Sequence, residues 1–363
     1  MSPLRSTPCV RRCMFMGTRK LLAALALASL ALPALAQVTG TTAARAEPLP
    51  ADDRCREVSL AQPPAQPVKI RYGLTGGGEE PLALLWADAP SYPNNGRFYA
   101  LEPQRFTAND RMTALQAGQI EAGSISLTAL ITSVSVGMDL RAVASVVETS
   151  ESDNQGAFVA LKDSGIREAS QFKGKRIGFY GPNTISEYWI KSALRREGLK
   201  SSDAHYVSMP PPAQEQALRN KQIDVAWLSR QFLARAQSAG GIDVILRPIQ
   251  ATRQAHPSTL VFFTRKFIAA HPQAYCAWRA DYQQALARWA RERTNLYGKL
   301  IAAGYLTPGA ADAGPDGGRS EGGRIRVGDV QATIKDMIDS GFLPAARTVP
   351  ADALLLKGYA LYQ

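Results

Sequence analysis

FKGKRIGFYGPNTISEYWIKSALRREGL, residues Phe172 to Leu199, runs in order through a basic turn, a short apolar strand, a break at Gly181-Pro182-Asn183 and an amphipathic helix. A strand that hands over to a helix through one tight turn is the unit from which α/β sheets are built. Gly181 supplies the backbone freedom that such a reversal needs. Asn183, Thr184 and Ser186 then stand where a helix starts, and their side-chain oxygens suit the unpaired N–H groups of a first turn. Those N–H groups, with the positive end of the helix dipole, make an anion site that needs no charged side chain. An ordinary capped helix is the competing explanation. The place itself favours a ligand, because solutes of open α/β sheets gather beyond the carboxyl ends of the strands.

Outward from this unit the same texture repeats. VKIRYGL from Val68 reads as a strand, Thr75-Gly76-Gly77-Gly78 as a turn and PLALLWADA as a helix. Short apolar runs and amphipathic stretches then alternate as far as IDVILRPI, which predicts mainly parallel sheets flanked by helices. TALQAGQIEAG (Thr113 to Gly123) is echoed 103 residues later by QALRNKQIDVA (Gln216 to Ala226), each a helix end, a tight turn and a strand. The echo predicts two modules of one design, with chance similarity between amphipathic helices as the alternative. In the first module, Ser124, Ser126 and Thr128 lie at a strand end and helix start; in the second, Trp227 ends the strand. Trp227 suits either a lid over an organic ligand or packing between elements. Thr75, Gly76 and Gly77 form a third backbone-rich turn. It lacks the spacing of a dinucleotide or phosphate loop.

The chain has 363 residues and a formal charge of +11. Its start reads as an export signal: Arg11, Arg12, Arg19 and Lys20 precede the apolar run LLAALALASLALPALA, which ends in Ala34-Leu35-Ala36. Sixteen apolar residues are short of the roughly 20 that a membrane-spanning helix requires. Cleavage is expected near Ala36 or Ala46, with residues 37–65 a flexible leader and no cysteine left at the new terminus for lipid attachment. Removing Arg5, Arg11, Arg12, Arg19 and Lys20, with no acidic residue among the first 36, leaves +6. The remaining basic residues are scattered, which suits small anions and speaks against nucleic acid. Of the four cysteines only Cys55 and Cys276 remain after cleavage; they either form one bridge or stay as two thiols. His205, His256 and His271 lie far apart without metal-ligand spacing, so no metal or other cofactor is expected. His256 in QAHPSTL reads as a lone surface residue, with a crossing between lobes as the alternative. No nucleophile elbow occurs, and no catalytic residue is assigned. Arg265 to Leu296 is expected as one long helix, and the Gly-, Pro- and Asp-rich stretch 307–323 as a mobile loop.

FKGKRIGFYG, the helix ending REGL, and YVSMPPPAQEQALRNKQIDVAWL together resemble the second lobe of exported solute-binding proteins of ABC importers, in the nitrate, sulfonate, taurine and thiamine-precursor group. ALQAGQIEAGSISLTALI is similar to the matching part of the first lobe. The resemblance covers roughly residues 66 to 300 and 325 to 360. It implies a two-lobed, type II-like periplasmic-binding-protein fold, with residues 66–155 and 255–363 in one lobe and 160–250 in the other. It also implies a small anionic or organic solute (sulfonate, nitrate, carboxylate or pyrimidine-like) held in the cleft, and delivery by a periplasmic monomer to an ABC permease of the inner membrane. An enzyme of the thiamine-pyrimidine synthase type and a ligand-sensing receptor subunit are the alternatives. Gly123-Ser124 replaces the acidic residue that many relatives carry there, and the 307–323 insertion has no counterpart.

Overall fold

A computed structural model of the chain describes residues 52–74, 77–151, 155–309 and 317–363. The residues expected as an export signal, residues 37–51 of the expected leader, and Thr75 and Gly76 of the first turn lie outside the described residues. The first run of elements is β1 (Val68–Leu74), α1 (Glu80–Ala87), β2 (Tyr99–Arg105), α2 (Ala108–Gln116), β3 (Ala122–Ser126), α3 (Leu127–Ser135) and β4 (Leu140–Thr149). The second is β5 (Gly156–Leu161), β6 (Arg176–Phe179), α4 (Ile185–Arg196), β7 (His205–Ser208), α5 (Pro211–Arg219), β8 (Val225–Ser229), α6 (Arg230–Ala239) and β9 (Ile242–Leu246). After α7 (Pro248–Thr252) come β10 (His256–Thr264), α8 (Arg265–Ala270), α9 (Pro272–Ala302) and α10 (Val327–Asp339). Among the described residues no helix is long and apolar enough to cross a membrane.

The strands form two five-stranded sheets of matching order, β2-β1-β3-β10-β4 and β7-β6-β8-β5-β9. Each sheet is mainly parallel with a single opposed strand, β10 in one and β5 in the other. The chain passes between the sheets after β4 and returns after β9. Gln155 ties the two passages together: its carbonyl side-chain oxygen accepts from the Ser258 hydroxyl at 2.6 Å, and its amide donates to Thr149 Oγ1 at 3.1 Å.

The sequence echo is a structural equivalence. In the first module Arg71, on β1, donates through Nε to Glu121 at 2.9 Å and through Nη2 to the carbonyl of Gly118 at 2.8 Å. In the second module Arg176, on β6, donates through Nη2 to Asp224 at 2.8 Å and to the carbonyl of Lys221 at 2.8 Å. Gly118 and Lys221 hold the same left-handed turn, at φ 67° and 57°. Both arginines thus fasten the turn that feeds the next strand, β3 or β8. Gly73 and Gly178 also correspond, since a side chain at either would run into the isoleucine that follows the turn, Ile120 or Ile223.

Burial explains the element types. β4 is the edge strand of the first sheet yet is buried along nearly its whole length, because the chain near Gly318 and Leu355 bridges to Glu148 and Ala142 and covers the free edge. One face of the first sheet packs on α9, where Phe263 lies 4.8 Å from Trp278 and Trp278 stacks on Tyr282. The segment before β1 is fastened to this helix twice. Cys55 and Cys276 form a disulfide across a sequence separation of 221 residues, the bridged form of the two expected alternatives. Beside it, Asp53 receives both guanidinium nitrogens of Arg279 at 2.7 and 2.9 Å. The helix expected over 265–296 is interrupted at His271, because Pro272 opens a new helix there and cannot donate to a preceding turn. Within 307–323, residues 310–316 lie outside the described residues. Gly318 pairs with Glu148 on β4, and Arg319 turns inward.

Candidate functional site

Four strand ends were expected to supply the site, and their local geometry differs. At the end of β3, the Ser124 hydroxyl is fully buried and lies 2.8 Å from the hydroxyl of Tyr72 on β1. Ser126 caps α3 by accepting from the N–H of Ala129 at 3.2 Å, and its hydroxyl lies 3.1 Å from that of the buried Thr128. These three residues sit together as expected, with Ser126 the most exposed of them.

At the end of β6, Gly181 has φ 132° and Asn183 adopts the left-handed conformation at φ 61°. The Asn183 N–H donates to Glu187 at 2.7 Å. Thr184 stands at the cap position of α4, but its hydroxyl donates backwards to the Gly181 carbonyl at 2.7 Å. Ser186 is fully buried and accepts from the Tyr180 N–H at 3.1 Å. The side-chain oxygens expected to cap the helix therefore fold the preceding turn instead. This leaves the first-turn N–H groups of α4 without a side-chain cap from Thr184.

Trp227, at the end of β8, is 2 % exposed and lies 4.7 Å from Trp189 and 5.0 Å from Phe158. Of its two expected roles the packing one is what its surroundings provide. β8 sends Val225 and Trp227 toward α4 and Ala226 and Leu228 toward α6, so this face alternation puts the indole in the core. His256 is also not on the surface. It is wholly buried at the start of β10, accepts from Trp189 Nε1 at 3.3 Å and lies 3.1 Å from the Gln254 carbonyl. Burial lowers its pKa to about 4, so the ring is neutral. The surface reading failed because His256 follows a polar stretch, whereas its neighbours in space come from α4.

The group that joins the two sheets went unrecognised in the sequence. Arg230, the first residue of α6, reaches from the end of β8 to Glu80, the first residue of α1, with Nη2 3.3 Å from Oε1. The other carboxylate oxygen of Glu80 accepts from Arg319 Nη2 at 2.8 Å. Arg319 also donates to the carbonyls of Gly78, at 2.8 Å, and Val146, at 2.5 Å, fixing the turn that contains Gly77 against β4. Glu79 is fully buried beside it, and its N–H donates to the Tyr305 hydroxyl at 2.9 Å. Burial raises the pKa of Tyr305 and of Tyr72 and lowers that of Arg111, which faces Glu79. The turn after β1 and the end of β8 therefore face one another across the gap between the sheets. Tyr180 leans toward Ser229 and Trp227 from the neighbouring strand, and burial raises its pKa too. The available signal was position alone: Glu79-Glu80 follows the Gly-rich turn, and Arg230 stands four residues beyond the end of the echo.

Three guanidinium groups (Arg111, Arg230, Arg319) and two carboxylates (Glu79, Glu80) meet at this end of the first sheet, an arrangement that accommodates an anion by charge and by N–H donors. Among the described residues no cluster of three or more His, Cys, Asp or Glu is placed to hold a metal ion.

Comparison with solved structures places the fold. The periplasmic aliphatic sulphonate binding protein SsuA from Escherichia coli superimposes with a TM-score of 0.63 at 18% identity, over 81% of this chain and 94% of that one. The alkanesulfonate-binding protein SsuA from Xanthomonas axonopodis pv. citri, bound to MOPS, gives 0.64 at 17% identity, over 80% and 99%. The periplasmic nitrate-binding protein NrtA from Synechocystis PCC 6803 gives 0.61 at 13% identity, over 78% and 85%. The two-sheet α/β architecture is thus the periplasmic-binding-protein fold. No curated protein matches the chain in sequence. The NMT1/THI5 like family model matches residues 103–288, from β2 into α9 and through every element of the second sheet. The chain belongs to the NMT1/THI5-like family.

Proposed function

We propose that the protein is the extracytoplasmic solute-binding component of an ABC importer, exported to the periplasm, where it captures a small anionic or organic solute between its two sheets and delivers it to a membrane permease. The observation that carries this reading is the pairing of Arg230 with Glu80, which sets a strand end of one sheet against a strand end of the other. Solute-binding proteins work by closing two bodies over a ligand that contacts both, and the ligand favours the closed state only through such shared contacts. The solute would lie against Gly77 to Glu80 and Ser124 to Thr128 on one side, and Gly181 to Ser186 and Ser229-Arg230 on the other. The sulfonate and nitrate proteins that share the fold support the solute class, with sulfonates, nitrate, carboxylates and pyrimidine-like compounds as the candidates.

A thermal-shift screen of the mature chain against these compounds tests the reading. A solute at a hundred times its Kd adds about 2.7 kcal/mol to stability and should raise the melting temperature clearly. Absence of any shift across the panel overturns the reading, and product accumulating in the same mixtures replaces it with an enzyme.

A further inference from the structure

We propose that Arg230 is the residue through which the second sheet recognises the anionic head of the solute, and that Glu80 is its resident counter-ion, exchanged for that head on binding. The inference rests on the solute-binding reading and narrows its ligand class to anions.

Arg230 is built into position. Its backbone N–H donates to the Gln155 carbonyl at 2.7 Å, so the root of the side chain is fixed to the passage between the sheets. Its side chain is only 11 % exposed and lies 3.5 Å from the Tyr297 hydroxyl on α9. A guanidinium that is so far removed from water requires an anionic partner, because desolvation without one costs several kcal/mol. Glu80 supplies it from the opposite sheet, with one carboxylate oxygen on Arg230 and the other on Arg319. A carboxylate divided between two guanidinium groups occupies the position that a sulfonate or carboxylate head would take.

Module equivalence shows that the fold itself does not call for this charge. At the echo offset of 103 residues, Arg230 corresponds to Leu127, the first residue of α3, which is fully buried and apolar. The same helix start is therefore built with or without an arginine, and in the second module the position carries a group suited to an anion.

Titration calorimetry and small-angle scattering on the full mature chain test the proposal, with ethanesulfonate and nitrate as anionic probes and thymine as the neutral one. E80Q removes the competing charge at nearly constant shape and should tighten binding of at least one anion by threefold or more. R230Q should weaken the same anion at least tenfold. Without ligand, both substitutions should increase the radius of gyration, a readout that does not depend on the probes. Equal anion affinity in wild type and R230Q overturns the proposal, as does weaker anion binding in E80Q. If thymine binds and neither anion does, the charge exchange fails while the solute-binding reading stands. If no compound from the wider panel binds any of the three proteins, both fail.

Discussion

The Tyr188 hydroxyl, on a helix of the second sheet, donates to Asp336 Oδ2 on α10 at 2.8 Å. Ser192 donates to the same oxygen at 2.6 Å, and Arg195 reaches Oδ1 at 2.5 Å. The carboxylate is 6 % exposed and burial, reinforced by its charge, raises the Tyr188 pKa well above the ordinary value. One buried anion thus pins α4 to α10, on the flank of the gap where α4 meets the helices of the first sheet. Asp336→Ala leaves the buried Tyr188 hydroxyl without its acceptor and the half-buried guanidinium groups of Arg195 and Arg196 without their anion, and should cost about 3 kcal/mol. Asp336→Asn, which keeps the shape, should recover part of that loss. Denaturant unfolding curves check both; a loss below 1 kcal/mol for the alanine variant would show that the pin contributes little.

The paired turns at Gly118 and Lys221 provide an internal control on backbone strain. Both residues are left-handed, a conformation that costs an L-residue with a side chain roughly 1 kcal/mol and glycine nothing. Lys221→Gly should therefore stabilise the protein slightly, or leave it unchanged once the greater freedom of the unfolded chain is counted. Gly118→Ala, with no atom within 4 Å of the added carbon, should destabilise it by about 1 kcal/mol. Equal effects of the two substitutions, measured by thermal unfolding, would contradict the equivalence of the turns.

His256 gives the fold a pH dependence of defined sign. Its native pKa of about 4 lies below the unfolded value near 6.5, chiefly because burial disfavours the charged ring. Between these values the unfolded chain binds the extra proton, so this contribution is complete above about pH 6.5 and disappears as pH falls through 4. The full difference corresponds to about 3 kcal/mol. His256→Gln removes the titrating ring, and its stability should fall less between pH 7 and pH 4.5 than that of the wild type. Parallel stability-against-pH curves for the two proteins would exclude His256 as the source.

How much of this was legible depended on how local the cause was. The strand-turn-helix units were, because turn chemistry and apolar spacing act within about ten residues, and the Gln216 to Ala226 echo marks the second module in the sequence itself. β10 was not anticipated as a strand of the first sheet. Its partners β3 and β4 are more than a hundred residues away, and sequence pattern does not carry that register. The turn residues Ser124, Ser126 and Thr128 were placed correctly at a strand end. Arg230, Glu80 and Arg319 were passed over, since their meaning comes from opposition across the gap and not from any spacing along the chain. Thr184 shows the complementary failure: its position as a cap residue was legible, but the direction of its hydroxyl was decided by the tighter Gly181 turn.

Trp227 separates the packing and lid roles by experiment. Its ring lies between Trp189 and Phe158 in the core that joins β8, β5 and α4, and its backbone N–H donates to the buried Gln214 side chain at 3.0 Å. Trp227→Ala opens a cavity that these rings cannot close and should cost 3–5 kcal/mol, the usual range for deleting a large buried aromatic. Trp227→Phe keeps an aromatic ring against Trp189 and should lose less than half of that. A lid would behave differently: both substitutions would weaken solute binding with little effect on stability. Unfolding curves of the two variants, with solute affinity measured on the phenylalanine form, decide the matter. A tenfold loss of affinity in Trp227→Phe at near-wild-type stability would move this residue from the core to the binding surface.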